Sequence, residues 1–235
     1  MPIKELICLA CSRRPGGRCF AGLDEQTRSW IRPISSTDEG GLTFGQYSLP
    51  GGTEPKILDV IAVDLVRPLP TIGQPENWLV GPQQWRRLRH ANSADMEILR
   101  SRLFDDPELF RNYERKVSHA EIQSRPPDSS LALVRPVNLA WHATPRPRYP
   151  DEKRIEGSFE ISGAPYQLVL TDPIWEQRLS GIPMHCHVKH GDRATIQTEI
   201  LLTLSLGERE PNWGNHHKLI AGVVEVPTAR EGARW

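Results

Sequence analysis

Arg13, Arg14, Arg18, Arg28, Trp30 and Arg32 fall within one short stretch, SRRPGGRCFAGLDEQTRSWIRPI. Planar guanidinium forks match phosphate oxygens, and an indole ring can stack on an unpaired base, a contact worth about 1–3 kcal/mol per base. Such a set could hold something flat and negatively charged. The competing reading has Trp30 closing a core, Arg32 lying across it with its stem buried, and the other arginines solvated. Gln74-Pro75-Glu76-Asn77-Trp78 is a second crowded stretch. Its amides could read base edges exposed on a single strand. Alternatively, Glu76 and Asn77 cap a helix and Trp78 packs it down.

Other constellations carry weaker chemistry. Gly16-Gly17 could turn backbone N–H groups toward a phosphate, but no G-x-G-x-x-G or P-loop pattern surrounds them, so a tight turn is expected. His185-Cys186-His187 with His190 offers metal-ligating atoms without the second ligand pair that structural zinc uses. Cys8 and Cys11, separated by two residues, fall on opposite faces of a strand with regular alternation. His216-His217-Lys218 with Glu208 and Glu210 could supply an acid and a base, yet no nucleophile elbow accompanies them. Asp172-Pro173 has the form of a helix N-cap followed by proline at the first helical position. No catalytic residue, metal or cofactor is assigned.

These side chains must be positioned by a mostly β protein. The run LICLA, the hairpin 18–23 and 29–34, and KILDVIAVDLV at 56–66 read as strands, with a glycine-rich loop over 39–53. Between 74 and about 124 the pattern turns helical, in pieces at 82–85, 93–104 and 107–113, with Ser93 and Asp106 as candidate caps. LALVRPVNLAWHA, RIEGSFEI, YQLVLTD, 198–206 and 218–226 then return to strands, with a short helix at 173–179 and a loop over 208–217. The 21 prolines and 18 glycines are scattered as punctuation. The expected organisation is a first barrel over 1–73, a helical connector over 74–127 and a second barrel over 128–235.

The totals bound the partner. The 235 residues, 38% of them hydrophobic, suffice for one large or two small β domains, and 29 Lys+Arg balance 29 Asp+Glu. Without a global basic field, any nucleic-acid site must be a local patch or pocket. The four cysteines suit reduced thiols, and the apolar start is too short for a signal peptide or membrane span, so a cytoplasmic protein without a membrane partner is expected.

LICLACSRRPGGRCFAG followed by WIRPIS, then KILDVIAVDLVRPLP, QPEN, LTLSLGE and HKLIAGVVE, together resemble the bacterial dual OB-containing domain family across nearly the whole chain. The resemblance implies two OB barrels, in proteins of largely unassigned role, and weakly a setting in genome maintenance or phage defence. OB folds commonly hold oligonucleotides on the strand 2–3 face and nearby loops. The expected activity is non-enzymatic binding of single-stranded or unpaired nucleic acid by Arg13, Arg14, Arg18, Trp30, Arg32, Gln74 and Asn77. The alternatives are a sensor or enzyme for a nucleotide-like molecule in a crevice between the barrels, with Arg32, Asn77, Asp172 or the His216 loop as contacts, and an adaptor meeting protein partners through Trp-rich surfaces.

Overall fold

A computed structural model of the chain describes residues 3–14, 16–37, 41–191, 199–210 and 214–226. Pro15, residues 39 and 40 of the glycine-rich loop, Thr198 and residues 211–213 of the last predicted loop lie outside the described residues. The chain is mainly β.

Five strands of the first half, β1 (Ile3–Arg14), β2 (Gly17–Asp24), β3 (Trp30–Ile34), β4 (Asp59–Pro68) and β5 (Asn77–Val80), run in the order β1-β2-β3-β5-β4, and β1 closes onto β4. Only β3 and β5 pair in parallel. A one-turn helix, α1 (Phe44–Tyr47), sits between β3 and β4. This is the closed five-stranded plan of an OB barrel, in which closure removes the exposed strand edges. A further strand, β6 (Arg86–His90), pairs with β4 outside the closed ring.

After α2 (Ser93–Ser101), β7 (Lys116–Ser118) and α3 (His119–Ser124), the second half contributes β8 (Leu131–Val134), β9 (Val137–Arg146), β10 (Tyr149–Ile161) and β11 (Ala164–Leu170). It ends with α4 (Pro173–Arg178), β12 (His187–Lys189), β13 (Glu199–Arg209) and β14 (Asn215–Val226). The sheet order is β12-β9-β10-β11-β14-β13-β8, with β7 on β14. β8 and β9 are two legs of one run interrupted at Arg135-Pro136; β8 pairs with β13 while β9 pairs with β10. Taken as one strand, they repeat the plan of the first barrel, with β11 and β14 as its parallel pair and α4 where α1 stands. The duplication is one of topology, which is why no residue repeat announces it.

The barrels share a core. Leu6, Cys8, Cys11, Phe20, Ile61 and Trp85 fill the first, and Trp141, Phe159, Leu168, Leu202 and Ile220 lie in the second. Ile7, Leu9, Leu23, Val60, Met96, Leu99, Leu133, Leu201 and Val224 form a third cluster drawn from both halves and α2. β1 is therefore buried on both faces, and reads as an unbroken apolar run for that reason. A bulge between Cys8 and Ala10 shifts its register, so Cys8 and Cys11 both face the first barrel's interior, correcting the opposite faces expected from strict alternation. Burial pushes the Cys11 thiol up to about 12. Neither cysteine is disulfide-bonded. At the bulge the Leu9 carbonyl accepts the Thr203 hydroxyl at 2.6 Å, and Gly222 passes so close that a Cβ there would lie 2.3 Å from the Leu9 oxygen.

The connector differs most from expectation. Residues 77–80 and 86–90 are strands of the first sheet, so that sheet extends well past residue 73. Pro82 to Trp85 is not helical; it delivers Trp85 into the first barrel, edge-on to Phe20 at 5.3 Å. Asn92, not Ser93, caps α2. Residues 109–111 form only a 3-10 turn, with Phe110 and Arg111 at positive φ. That strained turn is held by the buried Lys218 ammonium, which donates to the Leu109 and Asn112 carbonyls, both at 2.6 Å, and to Asn112 Oδ1 at 2.8 Å. Among the described residues, no helix is long and apolar enough to cross a membrane.

Gly222→Val forces a branched side chain into the Leu9 carbonyl and is expected to cost at least about 1–3 kcal/mol in urea unfolding, whereas Gly45→Ala, with open space around its Cβ, leaves the midpoint unchanged. Burial lowers Lys218 to about 8, against about 10.4 in an unfolded chain. Between these values the unfolded state holds the extra proton, so this group makes stability rise with pH. Urea titrations across that window should show the native protein gaining on Lys218→Met as pH increases; a constant difference between the two would contradict the assignment.

Candidate nucleic-acid interface

The parallel pairing of β3 with β5 sets Arg32 opposite Asn77. The residues just before β5 therefore meet Arg32 inside the protein. Arg32 is 2% exposed, and its Nη2 lies 3.2 Å from Glu76 Oε1 while donating to Ser130 Oγ at 2.8 Å and Ser205 Oγ at 3.1 Å. Glu76 also accepts the Ser130 backbone N–H and hydroxyl. Gln74 Nε2 donates to the Leu206 carbonyl at 3.2 Å, and Asn77 Nδ2 to Gln74 Oε1 at 3.1 Å. Arg32, Gln74 and Asn77 are thus interior groups that tie the first barrel to β8 and β13, which corrects their placement on a surface. Alternation gives Trp30 and Arg32 one shared face, and at Arg32 that face is covered by the second barrel. Glu76 and Asn77 cap no helix. Trp30 is half-buried against the shared apolar clusters.

The remaining arginines separate. Arg14 reaches across to Glu208. Arg13 and Arg18 are direct register partners across the β1–β2 hairpin, so they share a face. They meet Arg146, Lys153 and Arg154 of the β9–β10 hairpin in an open groove of about 510 Å³. Among the described residues Glu176 is its single lining carboxylate; Pro173, Ile174 and Ile155 supply apolar surface. The three second-barrel cations were not singled out in the sequence. Each lies in an ordinary charged strand end, and the β1–β2-like position of β9–β10 is visible only in the topology.

Electrostatics within the groove are loosely balanced. Arg13 Nε sits 3.3 Å from Glu176, with its own side chain 58% exposed. Burial pushes the Glu176 carboxyl up against the opposing pull of Arg13, Arg146 and Arg18. Arg18 lies 3.4 Å from Glu54, Arg146 lies 3.6 Å from Glu152, and Arg154 pairs with Glu156 at 2.7 Å. Lys153 donates to the Ile182 carbonyl at 3.0 Å and to that of Ser180. The more exposed Arg18–Glu54 and Arg146–Glu152 pairs are of the kind that contribute little and exchange partners readily, whereas Glu156 is buried.

The histidines form no comparable site. His216 Nδ1 lies 2.9 Å from the Gly207 carbonyl, which fixes it as the donor; Nε2 then accepts from His119 Nδ1 at 3.1 Å. Desolvation, helped by the positive charge of Arg209, holds His119 below its usual value. His217 faces Glu210 at 3.1 Å. His187 stacks on His142, away from an exposed Cys186, and among the described residues no three His, Cys, Asp or Glu groups converge as metal ligands. Asp172 caps α4 through Ile174 and Trp175 and also accepts Val223 N, so its oxygens are committed to the fold. Among the described tryptophans none is exposed, Trp30 and Trp78 being half-buried and Trp85, Trp141 and Trp175 buried; Trp213 and Trp235 lie outside the described residues.

Arg32→Met leaves Glu76 buried without its cation and should cost roughly 3–5 kcal/mol. Adding Glu76→Met should recover much of that loss in chemical denaturation. Unchanged stability in the single variant would return Arg32 to the ligand-facing groups.

Sequence comparison agrees with this architecture. No curated protein matches the chain significantly. The family model for the dual OB-containing domain matches residues 4–223, a span that takes in both closed sheets. The chain belongs to the dual OB-containing domain family.

Proposed function

We propose that the protein binds single-stranded nucleic acid along the groove between its two barrels, through Arg13, Arg18, Arg146, Lys153 and Arg154. The observation that carries this reading is the convergence of equivalent hairpins. The β1–β2 hairpin of the first barrel and the β9–β10 hairpin of the second both join strands one and two of an OB plan, a connection that OB folds commonly use for ligand. Among the described residues, five cations and one carboxylate line their meeting place in a chain that is neutral overall.

Phosphates take the place of Glu176, Glu54 and Glu152 as partners of the guanidinium groups, and the forks hold two oxygens at a time. A groove of this size spans a few nucleotides. It suits a defined segment or a strand end and not cooperative coating.

Fluorescence anisotropy with labelled single-stranded DNA and RNA provides the test. Replacing Arg13 and Arg154 with alanine should weaken binding at low salt and make the salt dependence shallower, by about 0.7 in the log–log slope for each phosphate no longer neutralised. Binding by the double variant with unchanged affinity and slope would defeat the proposal.

A further inference from the structure

A second cavity, of about 580 Å³, opens on the other side of Pro173 and Ile174. These two residues line both it and the basic groove. Glu54 joins the two spaces again, since it lines the cavity and pairs with Arg18 of the groove. The walls of the cavity come from both barrels and include Ile57, Leu58, Ile174, Trp175 and Val223, while Thr53, Lys56 and His90 add polar groups.

The charges differ in kind from those of the groove. Lys56 and Arg178 stand against Glu54, Asp172 and Glu225, and Arg178 is already paired with Glu225 at 2.6 Å and lies over the Trp175 ring. A phosphate gains nothing by entering a space with this balance. An uncharged planar ring does gain, because apolar walls with a few polar groups are the usual form of a small-ligand pocket. Lys56 makes no ion pair among the described residues and Thr53 is exposed, so both are free to meet ring edges.

We infer that this cavity receives one unstacked nucleobase of the strand whose phosphates lie in the groove. The inference rests on the nucleic-acid reading above and adds a base subsite to it. The protein then holds a strand by dividing its chemistry, phosphates on the hairpin cations and one base between the barrels.

The test uses oligonucleotides carrying 2-aminopurine at either end or in the middle, followed by fluorescence intensity for the base and by anisotropy for the whole strand. Thr53→Trp fills the cavity mouth from an exposed position. The native protein should change the emission strongly at one position, and Thr53→Trp should abolish that change and weaken binding about tenfold while preserving the salt slope. Strand binding with emission unaltered at every position, or unaffected by Thr53→Trp, would overturn the base subsite and leave the groove standing. If no strand binds, the groove reading fails, and saturation-transfer NMR with adenosine and cytidine decides the cavity separately. Transfer to the base protons that Thr53→Trp removes would support the subsite, and no transfer would overturn it.

Discussion

The buried Arg32–Glu76 pair is the constraint on which the relation of the two barrels depends. Two charges removed from water must be paired and hydrogen-bonded; they pair with each other, and the added hydrogen bonds come across the seam from Ser130 ahead of β8 and Ser205 in β13. An ion pair of this kind is weak evidence of net stability, because desolvation offsets much of the attraction. It is strong evidence of register. A slip of either barrel strips the pair of its hydrogen bonds to Ser130 and Ser205 and leaves buried charge without them, a cost that few local interactions could offset. The apolar cluster around Ile7, Leu9 and Leu201 supplies adhesion, and the polar seam specifies where it occurs.

Once that docking is fixed, the groove follows. Neither hairpin makes it alone: Arg13 and Arg18 are opposite residues on one, and Arg146, Lys153 and Arg154 cluster at the end of the other. Three of the acids nearby, Glu54, Glu152 and Glu176, are exposed or half-buried, so the local balance can be altered by a ligand. Charges are interior where the fold needs fixed geometry, and accessible where exchange is needed.

The strands were legible wherever apolar side chains alternated or ran continuously, as in β1, β4 and the β13–β14 hairpin. Asp172-Pro173 was legible as a helix start because capping is local chemistry. β5 and β6 were not, because NWLV and RRLRH lack the β-branched density of a strand and acquire their conformation from pairing with β3 and β4. The QPEN stretch signalled a special site by its crowding of polar groups, yet burial is not a local property. Whether Arg32 faces water or Glu76 is decided by strands more than a hundred residues later. Arg13 and Arg18 were identifiable from spacing. Their partners on β9–β10 were not, since the correspondence between the hairpins exists in connectivity and leaves no trace in residue identity.

The close passage of Gly222 over the Leu9 carbonyl, with the Thr203 hydroxyl beside it, has a dynamic consequence. At this point backbone meets backbone with no compliant side chain between, and the contact offers no hinge in which a rotation could be absorbed. The cations of the two hairpins are therefore held at set separations before any ligand arrives. Much of the ordering entropy that a flexible tandem of domains would give up on binding has already been given up on folding.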